Sequence, residues 1–91
     1  MNSKQRFFNL LGNYPALSHY WNTEKEELDI DQVEAIRGKL SPGEVLLLNI
    51  LVSIWCGNAR NDFEIDITDL AAIDLHARRP IIEWLIDPFW P

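Results

Sequence analysis

His19, Cys56 and His76 are the side chains of this 91-residue chain with the widest chemical repertoire, and their spacing decides what they can do. Neither histidine has a His or Cys three or four positions away, and the chain has no CxxC pair and no HExxH, so zinc-holding spacings are missing. Asp62-Phe63-Glu64-Ile65-Asp66 imitates the opening of a calcium loop. Its sixth position is Ile67, where the turn needs glycine, and its twelfth is Ile73, where the ion needs a glutamate. Cys56 is the only thiol and closes an apolar run, a place for packing rather than for a nucleophile with a base beside it. The glycines at 12, 38, 43 and 57 are scattered and make no phosphate-cradling loop; they read as helix punctuation. The sequence therefore predicts no enzyme, no cofactor and no metal.

What remains are residues suited to binding. The chain ends Ile86-Asp87-Pro88-Phe89-Trp90-Pro91, where Pro88 stiffens the exit from a helix and aims Phe89 and Trp90. The pair is either a lid closing over Trp21, Trp55 or Trp84, or an anchor for a partner, since tryptophan is enriched in interface hot spots. His19-Tyr20-Trp21 is an aromatic run with the same ambiguity: Tyr20 and Trp21 as core with His19 in water, or all three as a contact surface. Two acidic clusters, Glu24, Glu26, Glu27, Asp29, Asp31 and Glu34 in one and Asp62, Glu64, Asp66, Asp69 and Asp74 in the other, would make a negative patch if folded together. Such a patch attracts a basic partner or imitates nucleic acid.

Arg78-Arg79 supports a different expectation. Residues 67–86 have the outline of a helix-turn-helix, with the two arginines near the start of a second helix that would read DNA. Against this stand the carboxylates around the arginines, with which both are expected to pair, and Pro80 within the helix. The balance of 14 acidic to 8 basic residues, a net charge of −6, also repels a phosphate backbone. Nucleic acid is thus the weaker expectation, and a protein partner, including a second copy as a homodimer, the stronger one.

The elements that must position these residues are helical. Hydrophobic residues make up 47% of the chain, enough for one compact core, and its length suits one domain spanning 1–91. A lone cysteine points to a reducing, cytoplasmic setting. The apolar stretch near the N-terminus is too short and interrupted for a secretion signal, and no window is long enough to span a bilayer, so no membrane is expected.

Ser3–Leu11 reads as a first helix with Ser3 as cap, and Gly12-Asn13 stops it. Residues 16–22 are either one helical turn or an irregular connection, with Leu17, Tyr20 and Trp21 docking on the core. Asp31, with Glu34 three residues on, caps a second helix whose stripe is Val33, Ile36 and Leu40. The strongest signal is 41–56: Ser41 as cap, Pro42 at the first helical position, Glu44 completing a capping box, and Gly57 as stop. Only Asn49 and Ser53 interrupt the apolar residues from Val45 to Cys56, which predicts a buried central helix.

Residues 63–67 alternate like a short strand, and 28–31 and 65–68 each lead into a capped helix, so they either pair as a minimal two-stranded ribbon or serve only as lead-ins. Asp69–Ile73 is a short helical piece. Asp74 caps a last helix to Ile86, with Pro80 near its start or kinking it. Ile81, Trp84 and Leu85 share its inner face, widened by Ile82 and Ile86. The fold class is all-α: a small bundle of four to five short helices around 41–56.

Overall fold

In the computed structural model, which describes residues 1–57, 65 and 67–91, the N-terminal half is built on local signals. Helix α1 (Ser3–Leu11) is capped by Asn2, whose Oδ1 accepts from the Gln5 backbone N–H at 2.9 Å while Gln5 Oε1 accepts from the Asn2 N–H at 3.0 Å. The cap thus lies one residue before the expected Ser3, because Gln5 completes a reciprocal box only with residue 2. Residues 16–22 resolve into a four-residue helix α2 (Pro15–Ser18) and a strand β1 (Trp21–Asn22). β1 pairs antiparallel with β2 (Glu27–Leu28), Trp21 opposite Leu28.

This ribbon is a local hairpin, not the expected pairing of 28–31 with 65–68. Asn22 Oδ1 accepts from the Lys25 N–H at 2.9 Å, and Glu26 takes a left-handed φ of 54°, which together reverse the chain within a few residues. Ile67–Ala72 is a 3-10 turn, so 67 and 68 are not strand; the rest of the expected 63–67 strand, Ile65 excepted, and the Asn58–Asp62 turn lie outside the described residues.

The hairpin also moves the next helix cap. The Asp29 N–H donates to the Tyr20 carbonyl at 2.9 Å, which holds Asp29 in non-helical backbone at the end of the ribbon. Its carboxylate accepts from the Gln32 N–H at 3.1 Å, so α3 runs Ile30–Ile36 with Asp29 as cap in place of Asp31. A 3-10 turn, Arg37–Lys39, follows.

Helix α4 (Pro42–Cys56) has the expected ends. Glu44 N–H donates to Ser41 Oγ, Ser41 N–H and hydroxyl donate back to Glu44 Oε1, and Gly57 closes the helix at φ 72°. Those donors hold the Glu44 carboxyl below its ordinary pKa. Leu46 through Val52 and Ile54 are buried, among them Asn49. Helix α5 (Leu75–Ile86) starts at Asp74, which accepts from the His76 N–H at 3.1 Å, and contains Pro80 as its sixth residue. Proline there leaves the His76 carbonyl without its usual helical donor.

The core joins Phe7, Leu10 and Leu11 of α1, Tyr14, Leu17, Tyr20, Trp21, Val33, the apolar residues of α4, and Ile73. Phe7 is its aromatic hub, with ring centroids 5.6 Å from Trp21 and 5.1 Å from Trp55. The fold is mainly helical and compact, with a Cα radius of gyration of 12.3 Å, close to the roughly 12 Å expected for a chain of this length.

Candidate functional site

Among the described residues, helix α5 and the tail after it carry most of the exposed large apolar side chains, and the way they dock explains why. Three contacts tie them down. Tyr14 OH donates to the Ala77 carbonyl at 2.6 Å. Arg78 Nε donates to the Ile73 carbonyl at 2.8 Å, and its NH2 group to the Ala71 carbonyl at 3.0 Å, closing the end of the preceding 3-10 turn. Arg6 donates to the Asp87 carboxylate at 3.0 Å and lies over the Phe89 ring at 4.3 Å. These anchors seat Ala77, Ile81 and Trp84 against the core.

The opposite face is left bare. Leu75 is 73% exposed, Ile82 52%, Leu85 63% and Ile86 78%. At 100° per residue Leu75, Ile82 and Ile86 project along one line, and Arg79 and Glu83 flank them on one edge with Leu85 on the other. Leu75, Arg78, Arg79, Ile82 and Glu83 line a shallow depression of about 500 Å³ here. Leu85, Ile82 and Ile86 were expected on the inner face; the structure turns them outward, because Tyr14 and Trp84 fix the rotation of the helix. The signal for this face was present: a helix with apolar residues on two opposite sides holds more than one core contact can hide. Leu75 was not singled out from sequence at all.

The tail is tied back at Phe89 and not at Trp90. Trp84 Nε1 donates to the Phe89 carbonyl at 3.0 Å, and Phe89 is half-buried against the core. Trp90 meets Trp84 edge-on at 5.1 Å yet stays 57% exposed. It touches one of the three tryptophans expected beneath it and covers that one only in part.

The ribbon end holds the other candidates. Tyr20 and Trp21 are buried, so of the 19–21 run only His19 is exposed, its ring 4.0 Å from that of Tyr20. Glu24, Glu26 and Glu27 are exposed around the hairpin turn, beside an open cleft of about 790 Å³ that His19, Asp29 and Asp31 also line. Glu26 pairs with Lys4 at 2.9 Å. Of the expected second acidic cluster, Asp69 and Asp74 are exposed, and Asp62, Glu64 and Asp66, which also open the imitated calcium loop, lie outside the described residues. Among the described residues no three His, Cys, Asp or Glu side chains gather as a metal site, and no helix is long and apolar enough to cross a membrane. The two arginines separate: Arg78 is engaged with backbone carbonyls and, among the described residues, pairs with no carboxylate, and Arg79 is exposed beside the apolar line.

Beside α4 a cavity of about 730 Å³ is lined by Leu40, Val45, Asn49 and Ile65, with Asp69 as its ionisable group.

Burial lifts the Tyr14 phenol to about 12, partly offset by hydrogen bonding to the backbone at Ile81. An unfolded phenol titrates near 10. The folded pKa is the raised one, so this stability is complete below pH 10 and is lost as the pH climbs through about 12. Tyr14→Phe is expected to cost about 1 kcal/mol at neutral pH and to flatten this alkaline loss. Denaturant midpoints of both proteins at neutral and strongly alkaline pH test it, and an equal alkaline loss in the variant would exclude Tyr14 as the source.

Family models, curated proteins and solved structures were all compared with this chain, and none matches.

Proposed function

We propose that the chain is a non-enzymatic protein-interaction domain, an adaptor, inhibitor or regulator, whose contact surface is the outer face of α5. The observation that carries this reading is the line of exposed Leu75, Ile82 and Ile86, with Leu85 beside it, on a helix whose other face is already satisfied by the core. Exposed apolar patches of this kind mark contact sites on small soluble folds. In this reading α4 is the central buried helix of the bundle, and α5 is held beside the core by Tyr14, Arg6 and the carbonyls at the end of the 3-10 turn. Trp90, against Trp84 on the other side of the helix, is a separate exposed aromatic, and Glu24, Glu26, Glu27 and His19 form a charged end that steers encounter. Nothing in the residues calls for a cofactor.

The helix-turn-helix alternative has less support. Its recognition helix would present Leu75, Ile82 and Ile86 to phosphates, and one of its two arginines is already engaged with carbonyls. The test is a photo-crosslinking amino acid at Leu85 of the full chain in an extract of the source cells. A discrete protein adduct is expected, lost when Ile82→Asp is added. If no polypeptide is captured at that position, the chain itself included, the α5 face is not a contact surface.

A further inference from the structure

We propose that the occupant of the α5 face is a second copy of this chain, packed with its own α5 antiparallel across a two-fold axis at the level of Ile81; this inference rests on the protein-binding reading and names the partner. The argument is the order of charges along the apolar line. Arg79 and Glu83 sit one turn apart on the same edge, and neither forms an ion pair with a described residue. Within one helix, base before acid is the weaker order of an i,i+4 pair. Base early and acid late also opposes the helix dipole. The arrangement is unhelpful to the isolated helix and self-complementary across an antiparallel pair.

When two helices pack antiparallel about a two-fold axis, each edge faces the same edge of its mate. With the axis level with Ile81, Arg79 of each copy then meets Glu83 of the other, twice. Ile82 packs against Ile82 of the second copy near the axis, and Leu75 of each copy reaches Ile86 of the other. Leu85 falls over the aliphatic stem of the opposing Arg78, a stem already held in place by its two carbonyl contacts. A parallel pair would instead turn the Arg79 edge toward the Leu85 edge and form no such ion pairs. An isologous, self-matching patch is what a two-fold homodimer requires.

The size is compatible. The four apolar side chains expose on the order of 500 Å² per copy, at the upper end for a monomer's largest patch. The stems of Arg78, Arg79 and Glu83 bring the contact toward the roughly 800 Å² per partner of a standard interface. Each copy carries a net charge of −6, so association is opposed at long range and depends on this local match.

The experiment is sedimentation equilibrium of the intact chain across the micromolar range. The wild type is expected to dimerise, and Ile82→Asp to weaken the dimer at least about a hundredfold with an unchanged far-ultraviolet circular dichroism spectrum, Ile82 being half-exposed in the monomer. R79E and E83R, both at surface positions, are each expected to be monomeric alone. An equimolar mixture of the two should re-associate as a heterodimer, and the R79E/E83R double variant should dimerise by itself. A wild type that stays monomeric, a dimer indifferent to I82D and to single charge reversal, or a mixture that does not re-associate overturns the inference. A monomeric wild type whose Leu85 crosslinker still captures a different protein overturns the homodimer alone and leaves the protein-binding reading standing.

Discussion

Replacing Phe7 by alanine is expected to lower the melting temperature by at least ~15 °C, the largest effect of any single truncation outside α4. Phe7 is fully buried at 0% exposure and is the ring through which α1, β1 and α4 meet, touching Phe8, Trp21 and Trp55. A Phe→Ala change in a core costs about 3–5 kcal/mol, and aromatic pairs add about 0.5–1.5 kcal/mol each beyond their area. A domain of this size has about 5–14 kcal/mol in total. The loss is therefore a large share of the whole, and part of the population should be unfolded near body temperature. Phe8→Ala is the control. Phe8 is only half-buried and meets Phe7 and Trp55 from one side, so its melting temperature should fall by less than half as much. Equal losses at the two positions would show that the hub has been placed on the wrong ring.

The second large effect comes from adding a methyl group. Gly43 is the second residue of α4, where alanine would ordinarily favour the helix by about 1 kcal/mol. Here a Cβ at Gly43 would run into the backbone carbonyl of Ala72, at the end of the 3-10 turn. A carbonyl cannot rotate aside as a side chain can, so either the 67–72 segment or the first turn of α4 must move. Gly43→Ala is expected to be destabilising by roughly 1–3 kcal/mol. The damage should spread along the chain, because Ala71 and Ile73 supply the carbonyls that hold Arg78 and so seat α5. Thermal unfolding gives the magnitude, and amide exchange accelerated in 70–80 but not in α1 gives the place. A melting temperature equal to or above that of the wild type would mean that α4 and the 3-10 turn do not approach this closely.

Gly43 shows where reading from sequence loses its grip. Glycine at a helix start is read as punctuation, since that explanation needs only neighbours in the chain. The reason for this one is a backbone 29 positions away. The candidate site has the same character. His19, Tyr20 and Trp21 advertise binding by residue type, yet two of the three rings are core. Leu75, Ile82, Leu85 and Ile86 look like core by type and are the exposed face. Residue type sets what a side chain gains from burial; it does not say which of two apolar faces is buried.

Features settled within four or five residues were legible in the chain alone. The ends of α4 follow from Ser41, Pro42, Glu44 and Gly57, the start of α5 from Asp74, and the mainly helical class from apolar spacing. These rest on hydrogen bonds and backbone preferences that are nearly complete before the chain folds on itself. Between local alternatives of similar energy, long-range packing made the choice. Asp29 prevailed over Asp31 as cap because its N–H is held by Tyr20 across the ribbon. The strand at 27–28 took partners five and seven residues away, which costs less closure entropy than one nearly forty residues on. The rotation of α5 was fixed by contacts from Tyr14, Arg6 and the Ala71–Ile73 carbonyls, all distant in sequence or dependent on the packing of the 3-10 turn. Turning a helix about its axis changes none of its own hydrogen bonds, so no local term chooses the face, and the choice falls to whatever the rest of the chain packs against it.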